Sequence, residues 1–142
     1  MDKIGFRRFL DGKLQSGVAT GFEPLYLPSF LYDFQANLVE WAVRKGRSAI
    51  FADCGLGKTA MQLVWAENVR RKTNRRVLIL APLAVTSQTM REGEKFGIEL
   101  GRKENGITVA NYERLHKFDP SDYAGVVCDE SSILKSFDGV RR

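Results

Sequence analysis

The sequence predicts an α/β fold with a mostly parallel sheet flanked by helices, and three observations carry that expectation. The runs Arg76-Val77-Leu78-Ile79-Leu80-Ala81 and Gly125-Val126-Val127-Cys128 are apolar almost throughout, as strands buried on both faces of a parallel sheet are. Stretches with helical spacing alternate with such runs along the chain. A glycine-bearing loop, Ala52-Asp53-Cys54-Gly55-Leu56-Gly57-Lys58-Thr59, joins a strand-like stretch to a helix-like one. The length of 142 residues suits one such domain.

Taken in order, residues 1–29 show no sustained period and are punctuated by Gly12, Gly17, Gly21, Pro24 and Pro28, so they read as a loosely structured lead-in. From Asp33, the residues Phe34, Leu38, Trp41 and Ala42 recur at helical spacing, with Asp33 as a cap and Gly46 as a terminator. Ser48-Ala49-Ile50-Phe51-Ala52 reads as a short strand, and Lys58 to Arg71 as a helix after the glycine loop. The strand 76–81 follows, then a loop from Pro82 to Thr86 and a helix from Ser87 to Phe96. Ile107-Thr108-Val109-Ala110 gives another strand, Tyr112 to His116 a short helix, and 125–128 the last strand.

Composition bounds the function. Hydrophobic residues make up 44% and charged residues 27%, ordinary values for a folded domain and not for a disordered one. No apolar run approaches the roughly 20 residues of a membrane-spanning helix. Residues 1–10 carry Asp2, Lys3, Arg7 and Arg8 with no apolar core behind them, which disfavours a secretory signal and points to the cytoplasm. Cys54 and Cys128 lack paired spacing and read as free, reduced thiols; a metal site built on them with His116 is disfavoured. The net charge of +5 permits a polyanionic partner without demanding one. Much of the excess lies in Arg44-Lys45-Arg47 and Arg70-Arg71-Lys72-Arg75-Arg76, at expected helix C-termini, where cations offset the macrodipole.

The loop 52–59 carries the most specific chemistry. Triphosphate oxygens need several donors at short range, and a loop of small residues lets successive backbone N–H groups converge. Gly55 and Gly57 supply the small residues. Lys58 is placed to neutralise the β- and γ-phosphates, and the Thr59 hydroxyl to ligate the accompanying Mg²⁺. The pattern GxxxxGK[ST] is met except at its first glycine, where Ala52 stands. Directly after the last apolar strand come Asp129 and Glu130, at the strand end where ligands bind in open α/β sheets. Asp129 suits metal binding, and Glu130 suits activation of a water. Upstream, Gln35 offers one amide donor and one acceptor, which the adenine edge requires.

In order and spacing, Gln35 with its aromatic neighbours, Asp53-Cys54-Gly55-Leu56-Gly57-Lys58-Thr59, Ala81-Pro82-Leu83 with Gln88, Asn111-Tyr112-Glu113 and Asp129-Glu130-Ser131-Ser132 resemble the first motor domain of superfamily 2 helicases and translocases. The nearest branches are the Swi/Snf-like and the phage or bacterial DEAD/DEAH-like ones. The resemblance covers about residues 30–136 and implies a RecA-like P-loop NTPase domain over 30–142, incomplete at its C-terminus, behind the lead-in 1–29. It implies that Gln35 selects adenine, and that Cys54, Gly55, Leu56, Gly57, Lys58 and Thr59 bind ATP. Thr59 and Asp129 hold Mg²⁺, while Lys58, Asp129 and Glu130 carry hydrolysis. Pro82, Leu83, Gln88, Asn111 and Tyr112 lie toward the nucleic-acid track, DNA before RNA.

The same resemblance implies a partner: a second RecA-like domain whose arginines complete the site and are typically worth about 10³–10⁵ in turnover. Without it, nucleotide binding is expected and useful hydrolysis is not. A strand following the acidic pair is expected to insert between that pair's strand and 48–52, so the 142 residues would keep an open hydrophobic seam. The implied setting is the cytoplasm of a bacterium or phage-infected cell. Two other functions fit the same residues: a non-catalytic nucleotide-binding or regulatory module, and a P-loop ATPase that does not act on nucleic acid.

Overall fold

Strand β1 (Arg76–Ala81) lies between two others, β2 (Ile107–Asn111) and β3 (Tyr123–Cys128), in the order β2-β1-β3, and both pairings are parallel. The computed structural model describes residues 19–52, 55–101 and 104–130. Ile79 stands opposite Val109 on one side and Val127 on the other, and Val77 to Ala81 are all buried. Alternation along β1 divides the interior. Val77 and Ile79 join the main core beneath the helices, and Leu78 and Leu80 form a smaller cluster with Ala110 and Tyr112, packed by Phe118 and Tyr123.

Among the described residues, three α-helices flank the sheet. These are α1 (Asp33–Lys45), α2 (Lys58–Thr73) and α3 (Leu83–Lys95); α2 packs on the sheet, α1 packs on α2, and α3 packs on β2 and α2. Helix α2 is buried on more than one side: Met61, Leu63, Val64, Ala66, Asn68 and Val69 all lie in the interior. Two 3-10 helices, Tyr112–Lys117 and Pro120–Asp122, carry the chain from β2 to β3.

Four expectations require correction. Ser48 to Ala52 form no strand, and Phe51 is 97% exposed. A strand persists only with a ladder partner, and among the described residues neither sheet edge offers one to this segment. Helix α3 begins at Leu83, not Ser87, because Pro82 serves as its N-cap and its carbonyl accepts from the N–H groups of Val85 and Thr86. Strand β3 begins at Tyr123, opposite Arg76, with an irregularity before Gly125. The buried stripe of α1 is Gln35, Val39, Ala42 and Val43, while Phe34 and Trp41 are largely exposed. This stripe keeps an i, i+4, i+7, i+8 period, built on smaller side chains than the aromatic ones beside it.

The lead-in falls partly outside the described residues, but 19–28 are tied down without regular structure. The N–H groups of Thr20, Gly21 and Phe22 donate to the carbonyls of Lys45, Arg44 and Val43 at 3.1, 3.1 and 3.2 Å, filling the orphan acceptors at the end of α1. Gly21 is required by close approach, since a Cβ there would lie 1.8 Å from the Val43 carbonyl oxygen. Further along, the fully buried Asn68 of α2 grips the strap. Its Oδ1 accepts from the N–H groups of Leu25 (2.8 Å) and Tyr26 (2.9 Å), and its Nδ2 donates to the carbonyls of Tyr26 (2.7 Å) and Val64 (2.8 Å). The ring of Tyr26 also lies beneath the Arg71 guanidinium, 4.1 Å from its centroid.

Of the basic clusters, Arg44 and Lys45 lie in the last turn of α1 and Arg70, Arg71 and Lys72 in that of α2, whereas Arg47 and Arg75 lie beyond the helices and Arg76 opens β1. Glu67, nearly buried, accepts from Arg70 (2.6 and 2.9 Å) and from Arg71 (2.9 Å). Burial by itself would raise its carboxyl pKa, but the hydrogen bonds and charges of the two arginines outweigh it and hold the group below its ordinary value of 4.5.

Two outcomes are expected. Asn68→Ala strands two N–H groups of the strap and lowers stability by about 2 kcal/mol; thermal melts measure the loss, and limited proteolysis places new cleavage within 19–28. For Glu67, a folded pKa below the unfolded one means that its stabilisation is complete above the unfolded value. It is lost as pH falls through the folded one. Denaturant titrations in acid should show a shallower decline for Glu67→Gln than for the parent chain.

Candidate functional site

The carboxyl ends of the three parallel strands meet at one edge of the sheet, and each delivers residues singled out above: Pro82 after β1, Asn111 and Tyr112 at β2, Asp129 and Glu130 after β3. The N-terminus of α2 faces them through one direct contact. Gln62 Nε2 donates to Asp129 Oδ1 at 3.1 Å. Gln62 lies one turn beyond Lys58 and Thr59 on the same helix face, so this bond brings the acidic residue to the lysine side of the helix.

Asp129 is held on every side. Its N–H donates to the Leu80 carbonyl at 2.8 Å, continuing the β1–β3 ladder past the strand's end, and its own carbonyl accepts from the Tyr112 hydroxyl. Tyr112 is buried, and its pKa is pushed well up, by burial first and then by the nearby Cys128, Asp129 and Glu130, so the phenol stays a donor. Burial also raises the Cys128 thiol, against a smaller lowering by its hydrogen bond with Tyr112. Glu130 follows at φ 53, a left-handed conformation that costs a non-glycine residue on the order of 1–3 kcal/mol and is concentrated at functional sites.

On the loop side, Gly57 is the N-cap of α2 at φ 72, and the first helical hydrogen bond runs from Met61 N–H to the Gly57 carbonyl. The N–H groups of Lys58, Thr59 and Ala60 therefore have no partner within the helix. The first turn holds no acidic residue and opens with Lys58. A Cβ on Gly55 would meet nothing within 4 Å, so the loop presents open backbone there. Unpaired N–H groups, the positive end of a 16-residue helix, a lysine and a hydroxyl make a donor set that fits a polyphosphate. Asp129 with Thr59 fits magnesium, which is usually held by one or two carboxylates together with phosphate oxygens and water. Asp53 and Cys54 lie outside the described residues. Among the described residues, no three His, Cys, Asp or Glu side chains gather into a metal cluster.

Gln35 lies against this loop. Its Nε2 donates to the Leu56 carbonyl at 2.9 Å, its Oε1 accepts from Tyr32 N–H at 2.9 Å, and it is 5% exposed. A primary amide carries a second hydrogen and a second lone pair, so this clamp leaves capacity for a further partner. Tyr32 and Phe34 stack beside it with ring centroids 6.2 Å apart, both exposed.

The residues expected toward a nucleic-acid track share the carboxyl edge of the sheet at Pro82, Asn111 and Tyr112 but take up different contacts, and Leu83 and Gln88 continue along α3. Leu83 and Gln88 are exposed on α3, where Gln88 Nε2 donates to Glu92 at 3.1 Å. Pro82 caps that helix, Asn111 Oδ1 accepts from Arg114 N–H at 3.2 Å, and Tyr112 faces inward to Asp129. Sequence reasoning missed Gln62. Its signal was available: a polar residue at the position that helical periodicity assigns to the face of Lys58 and Thr59.

No helix among the described residues is long and apolar enough to cross a membrane. Compared with models of known protein families, with curated proteins and with solved structures, the chain matches none.

Gly57→Ala places a Cβ 2.2 Å from Gln35 Nε2 in a left-handed conformation, so both steric and backbone terms oppose it. A destabilisation of about 2–3 kcal/mol is expected from the pair of effects. In a Gln35→Ala background the steric part disappears and roughly 1–2 kcal/mol remains. Chemical denaturation of the four chains of this cycle measures the coupling.

Proposed function

We propose that residues 30–130 form the ATP-binding part of a RecA-like motor domain of the superfamily 2 helicase and translocase type, which couples ATP hydrolysis to movement on nucleic acid. The observation that carries this reading is the Gln62–Asp129 hydrogen bond, because it joins the phosphate-loop helix to the acidic pair. A glycine loop or an acidic turn alone is common; the two on one face of a helix, at the carboxyl edge of a parallel sheet, are not. The three-stranded parallel sheet with flanking helices is compatible with a RecA-like core.

In this reading Lys58 and the open N–H groups at the start of α2 bind the β- and γ-phosphates, and Thr59 and Asp129 hold the magnesium ion. The metal, when bound, offsets charge on the phosphate oxygens. Glu130, strained and exposed beside Asp129, is placed to take a proton from the attacking water. Gln35 holds the loop through Leu56 and keeps one donor and one acceptor position for adenine. DNA is the proposed track, and a second RecA-like domain the proposed partner that supplies the arginines for full turnover.

Titration with a fluorescent ATP analogue in magnesium tests the core of the proposal. Saturable binding is expected, weakened about ten-fold or more by Lys58→Ala, which removes a charge-assisted contact. Equal binding by both chains rejects a phosphate loop. Hydrolysis measured with and without single-stranded and duplex DNA tests the motor: a rate that responds to neither assigns the site to a P-loop ATPase of another kind.

A further inference from the structure

We infer that Gln62 is a positioning residue that aims the Asp129 carboxylate toward a divalent cation; this rests on the nucleotide reading above. Gln62 has two polar ends with opposite fates. Its Nε2 holds Asp129 Oδ1 at 3.1 Å. Its Oε1 is fully enclosed by protein and has no hydrogen-bond partner.

The orientation of the amide follows from chemistry. An ionised carboxylate only accepts, so the NH₂ end must face Asp129 and the carbonyl must face away. A side chain kept for packing alone could be apolar, since an isostere of the same shape leaves no buried oxygen unpaired. The amide is therefore kept for its other end, which holds Asp129, although this leaves an oxygen without a partner.

The surrounding contacts leave Gln62 this role. The Asp129 backbone is fixed by the Leu80 carbonyl and by the Tyr112 hydroxyl, so what remains adjustable is the direction of its carboxylate. Gln62 sets that direction from the same helix that presents Lys58 and Thr59, so a shift of α2 carries the phosphate-binding and metal-binding groups together.

The test is binding of a fluorescent ATP analogue to the full chain in magnesium and, separately, in EDTA. Gln62→Met, which keeps length and removes both polar ends, should weaken binding about ten-fold in magnesium and less than about two-fold in EDTA. Gln62→Asn, which keeps the amide but falls a methylene short, should show the same split, and it serves if the Met variant does not fold by circular dichroism. In an Asp129→Asn background, Gln62→Met should add little further loss in magnesium. An equal loss in both conditions means a structural role and overturns the inference, as does an unchanged affinity in magnesium. Lys58→Ala should lose binding in both conditions. Should it bind as the parent does, the phosphate-loop reading fails, and this inference fails with it; should Lys58→Ala lose binding while Gln62→Met matches the parent, this inference alone fails.

Discussion

The architecture depends on burying β1 completely. A six-residue strand with Val77 to Ala81 all out of contact with water needs a strand on each edge and a layer on each face. Each requirement recruits a different part of the chain: β2 and β3 take the edges, α2 and its neighbours cover Val77 and Ile79, and Tyr112, Phe118 and Tyr123 gather over Leu78 and Leu80. Because both pairings are parallel, all three strands end on the same side. The convergence of Pro82, Tyr112 and Asp129 is thus a by-product of satisfying one apolar strand.

Polar contacts then do what the apolar core cannot, which is to fix direction. Asp129 has its N–H, its carbonyl and one carboxylate oxygen each engaged by a different element, namely β1, the 3-10 helix after β2, and α2. Local backbone strain sits beside this rigid point: Gly57 and Glu130 both have positive φ, one at the start of α2 and one after β3. Glycine bears the conformation freely, whereas glutamate is strained by it.

How much of this was legible depended on the kind of signal. The strand 76–81 could be read to the residue, because the unbroken apolar run Val77 to Ala81 between Arg76 and Pro82 admits few alternatives. Helix α1 had legible ends and an illegible face: Phe34 and Trp41 look like core residues, yet the smaller Val39, Ala42 and Val43 face α2, with Gln35 beside them. Sequence composition cannot report which neighbour a helix finds. The strap at 19–28 was illegible for a related reason, since its order comes from Asn68 and from the end of α1, not from any period of its own. At the site, Lys58, Thr59, Asp129 and Gln35 were legible as types at spacings. The face of Gln62 was legible from its spacing to Lys58 and Thr59, but its hydrogen bond to Asp129, 67 residues further along the chain, was not.

The segment 48–52 shows why propensity alone does not make a strand. Ile50 and Phe51 have strand composition, but no described strand lies beside them, and Phe51 stands in solvent. Across the site β3 has the matching deficit: its second edge is unpaired among the described residues, and Val126 is 48% exposed. Without a ladder at 48–52, the glycine loop follows no strand among the described residues, and other contacts position it, the packing of Ala52 on the main core among them. Helix α2 holds its downstream end through Gly57. The other fixed point is the Leu56 carbonyl, held by Gln35, whose amide is itself locked by Tyr32 at the start of α1. In this chain the placement of the loop is therefore transmitted through a buried glutamine on α1, and α1 is in turn fixed by the strap that caps its far end.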